Sequence, residues 1–507
     1  MKTRLGLLLI ALTACRLLVA QVHITIDNPD SWSGEALRPY IGQTVVFDVP
    51  MIVCANANSN YVVSPWRRFQ PESHGYPGTE DYISTSRINS TCMFNISGID
   101  GYHRCGEKII GLTARVNGTA SLSWVSGKWQ GNTRAELEAG IPDLGDYRLL
   151  VCGFNLENYY MTLGSMGAKT SSDRAIQREK VSKALKRINA DIFGLVEVQQ
   201  GNEAADEIVS DLNKNLPGRN YKHFNDPSAG TFQKVELVYD ANKVTPIGTP
   251  VETNVETQNR KKMICFQEIA TGEKFIYSIN HFKAMNTGDE ERRVNEAKAV
   301  VKLYNSYRQN SNIREKDVLI MGDLNCYAFT DPIKAFLDNG YIDMHRAFHA
   351  DSSYSYMFSN MASYIDHAIA NGSMYKQITG MAGFHIHSDE DDYYTYDKSG
   401  NRSMFRCSDH DPVLVGLRLD STLMYDPTPQ INSSEIISGE AHKLIIQNAY
   451  KEDGHSYYAI YTVSGWLVER KDITSPLYEV DLPLQSSVYI VYVYFDGQVY
   501  QRKMIVR

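Results

Sequence analysis

The chain has 507 residues, of which 43% are apolar and 22% charged, values of a globular protein rather than a disordered one. Its length calls for roughly two to four domains. A net charge of -8 excludes whole-protein electrostatic attraction to nucleic acid or phospholipid, so a polyanionic substrate would need metal ions or a local basic patch.

Lys2 and Arg4 precede an apolar run, and Val19-Ala20 closes it with small residues. This predicts a secretory signal over 1–20, too short to span a bilayer. Leu12-Thr13-Ala14-Cys15 offers the alternative of a lipoprotein box with a lipid on Cys15. The apolar Leu17-Leu18-Val19 that follows favours cleavage after Ala20, leaving an exported chain that is soluble or at most tethered. Of 8 cysteines, seven then remain. An odd number cannot all pair within one chain, and Cys92 with Cys105 is the expected disulfide. No C-x-x-C pair occurs to hold zinc.

Residues 21–145 read as short strands between turns, as over 43–49 and 51–54, with no helix of convincing period. A small OB-like barrel is expected. Trp66-Arg67-Arg68-Phe69 is a basic-aromatic cluster that could stack bases, or equally an exposed loop with a packed Trp.

From about residue 146 the pattern becomes alternating strand and helix. Leu149-Leu150-Val151-Cys152 is a buried strand, and Ser171, Ser172 and Asp173 can cap a helix that carries Val181, Ala184, Leu185 and Ile188. Strands follow at 192–196, 235–239, 263–267 and 274–280, with a helix marked by Ile208, Leu212 and Leu216. A charged helix over 289–308 has Val294, Ala297, Val301 and Tyr304 on one face. It leads to Val318-Leu319-Ile320-Met321-Gly322-Asp323-Leu324-Asn325, a strand buried on both faces that ends in Asp323 and Asn325. Further strands follow at 364–365 and 413–417. The α/β domain spans 146–420 and is large enough for a full core. Residues 421–434, with two prolines, read as a linker, and 435–507 return to β alternation as a small sandwich.

Strand ends in the α/β domain repeatedly carry polar groups: Asn155 and Glu157, Glu197, His281, Asp323 and Asn325, Asp366, then Asp409-His410. Each alone could be a solvated end, a turn or a cap; together they suit one chemistry. Oxygen ligands such as Asn155, Glu197 and Asp323 match Mg²⁺ or Ca²⁺ rather than zinc. A histidine backed by a carboxylate is a positioned general base, and a second histidine can donate to charge developing on phosphate oxygens. Metal-assisted phosphoester hydrolysis is the expectation.

Gly153-Phe154-Asn155-Leu156-Glu157-Asn158, Gly194-Leu195-Val196-Glu197, Asn280-His281-Phe282-Lys283, Gly322-Asp323-Leu324-Asn325, Tyr364-Ile365-Asp366-His367 and Ser408-Asp409-His410-Asp411-Pro412-Val413 occur in that order. In this the chain resembles the endonuclease/exonuclease/phosphatase superfamily, and within it the large secreted bacterial nucleases. The resemblance implies a central α/β four-layered sandwich, two packed mixed β-sheets flanked by helices. The OB-like domain would precede it and the small β-sandwich follow. It makes Glu197 the principal metal ligand, with Asn155, Glu157 and Asp409 assisting and Mg²⁺ as the metal, Ca²⁺ or Mn²⁺ as alternatives. His410, oriented by Asp366, would activate water. Asp323 and Asn325 would hold the nucleophile and phosphate, His281 would stabilise the transition state, and Arg260 and Arg406 would contact phosphate. Gln233 and Glu236 lie where some relatives place a carboxylate behind the first histidine, and neither can be chosen. The tail, through Val463-Ser464-Gly465, Asp481-Leu482-Pro483 and the closing Lys503-Met504-Ile505-Val506-Arg507, resembles a C-terminal sorting domain of type IX export in Bacteroidetes, against the alternative of a carbohydrate- or protein-binding module. A secreted nuclease acting on extracellular DNA is the expectation, with the export machinery as a partner. Its rivals are a phosphomonoesterase, a sphingomyelinase-like diesterase and a non-catalytic surface binding protein.

Overall fold

The computed structural model describes residues 21–506 except 27–31, 33, 58–59, 102, 132–140, 165, 229, 231, 287, 350–352, 391–393, 397–401, 421–436, 439–442, 448, 450–455, 463–466, 483–486 and 496–497. The expected signal over 1–20 with Cys15, the linker over 421–434, Val463-Ser464-Gly465, Pro483 and Arg507 lie outside the described residues. The chain forms two compact units. One comprises Met1–Phe69, Ser84–Ala139 and Ser359–Met361, and the other Gln70–Ile83, Gly140–Phe358 and Ala362–Arg507.

The first unit is built from β1 (Val22–Ile24), β2 (Thr44–Phe47), β3 (Met51–Ala57), β4 (Asn60–Ser64), β5 (Phe94–Ser97), β6 (Lys108–Gly118) and β7 (Ser121–Gln130). Strands β6-β3-β4-β5-β7 are hydrogen-bonded in that order, and a β6–β7 pairing closes them into a five-stranded barrel. Phe94 and Ile96 alternate with exposed Asn95 and Ser97, which sends every second side chain into the barrel core beside Phe47, Val53 and Val63. Two expectations need correction here, and of the two readings of 66–69 the packed Trp is the one that holds. A helix, α1 (Glu80–Thr91), does form, although its Ser- and Thr-rich sequence carries no apolar stripe and its one buried residue is Asn89. Arg68 is 1% exposed and bonded to Asn89, and Trp66 packs on the barrel core, so this cluster is no open basic-aromatic face. Cys92 and Cys105 are not paired: Cys54, Cys92, Cys105, Cys152, Cys265, Cys326 and Cys407 are all free thiols and all buried.

The second unit holds two six-stranded mixed sheets. One has the order β10-β11-β9-β8-β21-β20, made of β8 (Leu149–Tyr159), β9 (Ile192–Gln199), β10 (Tyr221–His223), β11 (Gln233–Asp240), β20 (Ile378–Gly383) and β21 (Val413–Leu417). The other has the order β12-β13-β14-β15-β19-β16, made of β12 (Val244–Glu252), β13 (Lys261–Glu268), β14 (Lys274–His281), β15 (Val318–Asp323), β16 (Tyr341–Asp343) and β19 (Asp366–Asn371). Between β16 and β19 a short pair is formed by β17 (Tyr356–Phe358) and β18 (Met361–Ser363). The sheets pack face to face: Val151, Ile192 and Val196 of one meet Tyr277, Ile279, Leu319 and Met321 of the other.

The helices are α2 (Ser171–Ile188), α3 (Glu203–Asn215), α4 (Glu290–Tyr307), α5 (Asp331–Leu337), α6 (Met344–Phe348) and α7 (Gly372–Tyr375). Strand β15 shows the layering, with Leu319 and Met321 in the inter-sheet core and Val318 and Ile320 against Ala297, Val300 and Tyr304 of α4. The N-cap of α2 is Thr170, whose hydroxyl accepts from Asp173 N–H at 3.1 Å, rather than the expected serines.

At the C-terminus β22 (Ile437–Ser438), β23 (Lys443–Gln447) and β26 (Leu477–Asp481) form one small sheet. A second contains β24 (Tyr457–Thr462), β25 (Leu467–Asp472), β27 (Ser487–Phe495) and β28 (Gln498–Val506). Leu444, Ile446, Ile460, Val491 and Val493 form their common core. Among the described residues no helix is long and apolar enough to cross a membrane.

Candidate active site

Sheet register assembles the site. Strands β14 and β15 run parallel with His281 opposite Asp323, and β15 and β19 run antiparallel with Asp323 opposite Asp366. Paired residues share a face, so His281, Asp323 and Asp366 form one row across three strands. That face is the inter-sheet one, since Ile279, Met321 and Ala368, two residues along, lie in the core between the sheets.

The opposite sheet contributes Asn155 from β8 and Glu197 from β9. Period-two alternation would send Glu197 away from the side taken by Val196. Glu197 has φ 62, and this left-handed residue breaks the alternation and turns its carboxylate towards the row. Its Oε1 lies 3.8 Å from His281 Nε2, while Oε2 accepts from Asn158 N–H at 2.9 Å. Asn155 Nδ2 donates to Asp323 Oδ2 at 3.1 Å, joining the two sheets directly. Asn325, with φ 48, donates its backbone N–H to Asp323 Oδ1 at 2.9 Å and its Nδ2 to the Phe282 carbonyl at 3.1 Å.

His410 enters from the loop before β21. Its Nδ1 bonds Asp366 Oδ2 at 2.7 Å, leaving Nε2 at 3.9 Å from both Asp323 Oδ2 and Asp409 Oδ1. Ser408 accepts from His410 N–H and donates to the Asn155 carbonyl, which fixes this loop against β8. The ring of Tyr356 packs on His410 with centroids 4.8 Å apart.

The structure thus brings Asn155, Glu197, His281, Asp323, Asn325, Asp366, Asp409 and His410 together. Glu157 and Arg406 pair with each other, Nη1 to Oε2 at 2.8 Å, and Arg406 is 2% exposed with Nε on the Glu390 carbonyl. A guanidinium so enclosed orients Glu157, and the expected phosphate contact for Arg406 is replaced by this role. Arg260 is half-buried and close enough to bias the protonation of Glu197 and His281. Gln233 bonds Asn158 Oδ1 at 2.7 Å and so backs the Glu197 loop, whereas Glu236 pairs with buried Lys234. Sequence reasoning missed Ser355, which donates to Asp366 Oδ2 at 2.7 Å. It sits in a run of serines and tyrosines with nothing to single it out.

Burial opposes charge on His410, yet Asp366, Asp409 and Asp323 together hold its imidazole well above the usual range. Burial, reinforced by Arg260 and His410, holds His281 well below it, and His281 Nδ1 is a buried nitrogen without a hydrogen-bond partner among the described residues. Burial lifts the Asp323 carboxyl, against the pull of His410 and with the push of Asp366. Burial and then Asp409 lift Glu197. Carboxylates that raise one another in an enclosed site leave negative charge unrelieved, and an all-oxygen donor set suits a hard divalent cation. Ligand atoms of Asp323, Asp366 and His410 lie within 4.8 Å of one another. Since Asp366 Oδ2 already accepts from His410 and Ser355, the carboxylates better placed to turn to a cation are Asp323, Glu197 and Asp409.

No curated protein sequence matches the chain. Solved structures similar to it include the human Nocturnin catalytic domain with bound sulfate anion, at 14% identity over 54% of this chain and 94% of that one, TM-score 0.39. A mannosyl-6-phosphatase of Bacteroides thetaiotaomicron aligns at 18% identity over 54% and 100%, TM-score 0.38. D. rerio TDP2 complexed with single strand DNA product aligns at 12% identity over 54% and 99%, TM-score 0.38. The model of the Endonuclease/Exonuclease/phosphatase family matches residues 152–410, about half the chain and every residue of the assembled site, and the chain belongs to that family.

Proposed function

We propose that this protein is an exported, divalent-metal-dependent nuclease that hydrolyses phosphodiester bonds, with DNA as the expected polymer. Members of its family are hydrolases of phosphoester bonds and generally use divalent metals. The observation that carries the reading is the register row His281–Asp323–Asp366 with His410 seated on Asp366. It sets a carboxylate-backed imidazole and a second, neutral imidazole on either side of one carboxylate.

Glu197, Asp409 and Asp323, with Asn155, are the residues that would hold the cation, while Glu157, taken up by Arg406, is not among them. When bound, the cation supplies positive charge to the phosphate oxygens. Asp366 fixes His410 Nδ1, so Nε2 is the nitrogen that takes the proton of the attacking water, and it does so in the deprotonated form, which the three aspartates around the ring make the minor one near neutral pH. Asp323 and Asn325 hold that water and the scissile phosphate. His281, kept neutral by burial, donates from Nε2 to the charge that builds on the phosphate or on the leaving oxygen. Arg260 is the phosphate contact.

Three further readings belong to the proposal. The Lys2/Arg4 leader pattern supports export, and the β-alternating C-terminal region supports a sorting domain there. The closed barrel, in which β5 and β7 run parallel, supports an OB-like first domain.

The test is purified protein with circular DNA, linear DNA, RNA and sphingomyelin, each with Mg²⁺, with Ca²⁺ and with chelator. Metal-dependent cleavage of DNA is expected, and circular substrate separates endo- from exonucleolytic action. His410→Ala should lower kcat about a hundredfold or more, as loss of a general base does. Glu197→Ala should mainly raise the metal concentration required. Phosphocholine release without DNA cleavage would sink the reading, and wild-type rates in both variants would sink the site.

A further inference from the structure

Helix α4 buries a complete ion pair. Glu296 and Lys261 both have fully covered side chains, with Nζ and Oε1 2.9 Å apart. Such a pair seldom adds net stability, because desolvating two charges offsets their attraction. Its other contacts point to what it does instead.

Glu296 Oε2 accepts from Lys283 N–H at 2.7 Å, and Oε1 accepts from the Thr257 hydroxyl. One turn earlier on α4, Arg293 Nη1 donates to the carbonyls of Lys283 and Ala284 at 3.4 and 3.2 Å. The segment leaving His281 is therefore gripped at both its donor and its acceptor groups. Between His281 and Lys283, Phe282 N–H donates to the Asp323 carbonyl at 3.0 Å, and its carbonyl accepts from Asn325. On the other arm, Lys261 follows Arg260, and its Nζ also bonds the Thr257 carbonyl at 2.9 Å, which closes the loop before it. The two arms meet where His281 N–H donates to the Arg260 carbonyl at 2.7 Å.

We propose that Glu296, through its pair with Lys261, is a positioning residue that sets where His281 and Arg260 stand relative to the scissile phosphate. The proposal rests on the reading of the site as a phosphodiester-hydrolysing one. Neither side chain reaches substrate; they fix the backbone from which the two reacting groups project. Displacements of about 1 Å at such groups cost on the order of a hundredfold in rate.

Glu296→Gln keeps the acceptor for Lys283 and removes the charge. The double change Lys261→Met/Glu296→Met removes the pair and keeps the volume. Glu296→Gln should lower kcat on DNA about tenfold or more and raise KM. The double variant should recover thermal stability close to wild type yet keep kcat about tenfold or more below it. In ¹⁵N-histidine-labelled protein, the ring signals of His281 should shift in both variants. Wild-type kcat and KM in the double variant, or His281 signals that do not move in either, would overturn the proposal. The ring signals need no turnover, so a wild type inert on every phosphoester would count against the nuclease reading while the positioning role is still decided by His281.

Discussion

Asp366 accepts two hydrogen bonds on one oxygen, from His410 Nδ1 and from Ser355 Oγ, each at 2.7 Å. The serine hydroxyl fixes the carboxylate so that it presents this oxygen to the imidazole, and Ser355 itself is fully buried, with its carbonyl accepting from Asp411 N–H. Removing a hydrogen bond to a charged group costs about 1.5–3 kcal/mol. Ser355→Ala should therefore reduce kcat on the order of ten- to a hundredfold, and Ser355→Thr, which keeps the hydroxyl, should retain most of it. Equal rates for Ala and wild type would show that Asp366 needs no such support. A different buried carboxyl should set part of the pH dependence of stability. Glu315 is 5% exposed, and burial pushes it up to about 7 despite two backbone N–H groups on its Oε1. A carboxyl raised in the folded state contributes stability that is complete below its ordinary value of 4.5 and lost as pH rises through about 7. The loss amounts to about 3 kcal/mol at most. Thermal unfolding of wild type should show Tm falling across that window, and Glu315→Gln, which keeps both acceptor bonds, should flatten the fall. Parallel curves would mean that Glu315 stays ionised.

At the scale of the element, β15 explains why its glycine cannot be replaced. Gly322 has φ +127, and a Cβ there would stand 2.0 Å from the Asn280 carbonyl oxygen on the neighbouring strand. Neither backbone can yield, since His281 and Asp323 hold register across the same two strands. Gly322→Ala should destabilise by roughly 2–4 kcal/mol in urea unfolding, while Gly340→Ala, with φ +80 and open space around it, should cost only about 1 kcal/mol. Similar losses at both would place the strain in φ alone. This strand was also the most legible part of the chain. Strands buried on both faces read as unbroken apolar runs, and a polar residue at the end of each run marks the edge where the sheets open. That logic found Asn155, Glu197, His281, Asp323, Asp366 and His410, which the structure brings together. It could not find what depends on single backbone conformations or on long-range contacts. Nothing in sequence marks the left-handed turn at Glu197. Ser355 and Asp366 meet only after β17 and β18 have doubled back. The α1 helix has no apolar stripe to betray it, and Arg406 looked like a phosphate ligand because its partner Glu157 lies 249 positions away.

Over the whole molecule, charge argues about how a polyanion would be held. The net charge is -8, and among the basic groups near the site Arg406 is engaged by Glu157 and Lys261 by Glu296. Arg260 remains as the side chain cation beside Glu197 and His281. Proteins that grip DNA through a basic surface release many counterions, and their affinity falls steeply with salt, with a slope of about -0.9 per phosphate contact. On the proposed function few such contacts would form, and a cation at the carboxylates would carry the attraction. Binding of a nuclease-resistant phosphorothioate duplex in Ca²⁺ should therefore show a log–log salt slope of about -1 to -2, and chelator should abolish it at every salt concentration. A slope steeper than about -4, or binding that survives chelator, would instead mean that a basic surface away from the site does the gripping. The same titration on Arg260→Ala should bring the slope closer to zero by about one contact, which ties the whole-molecule behaviour to a single guanidinium.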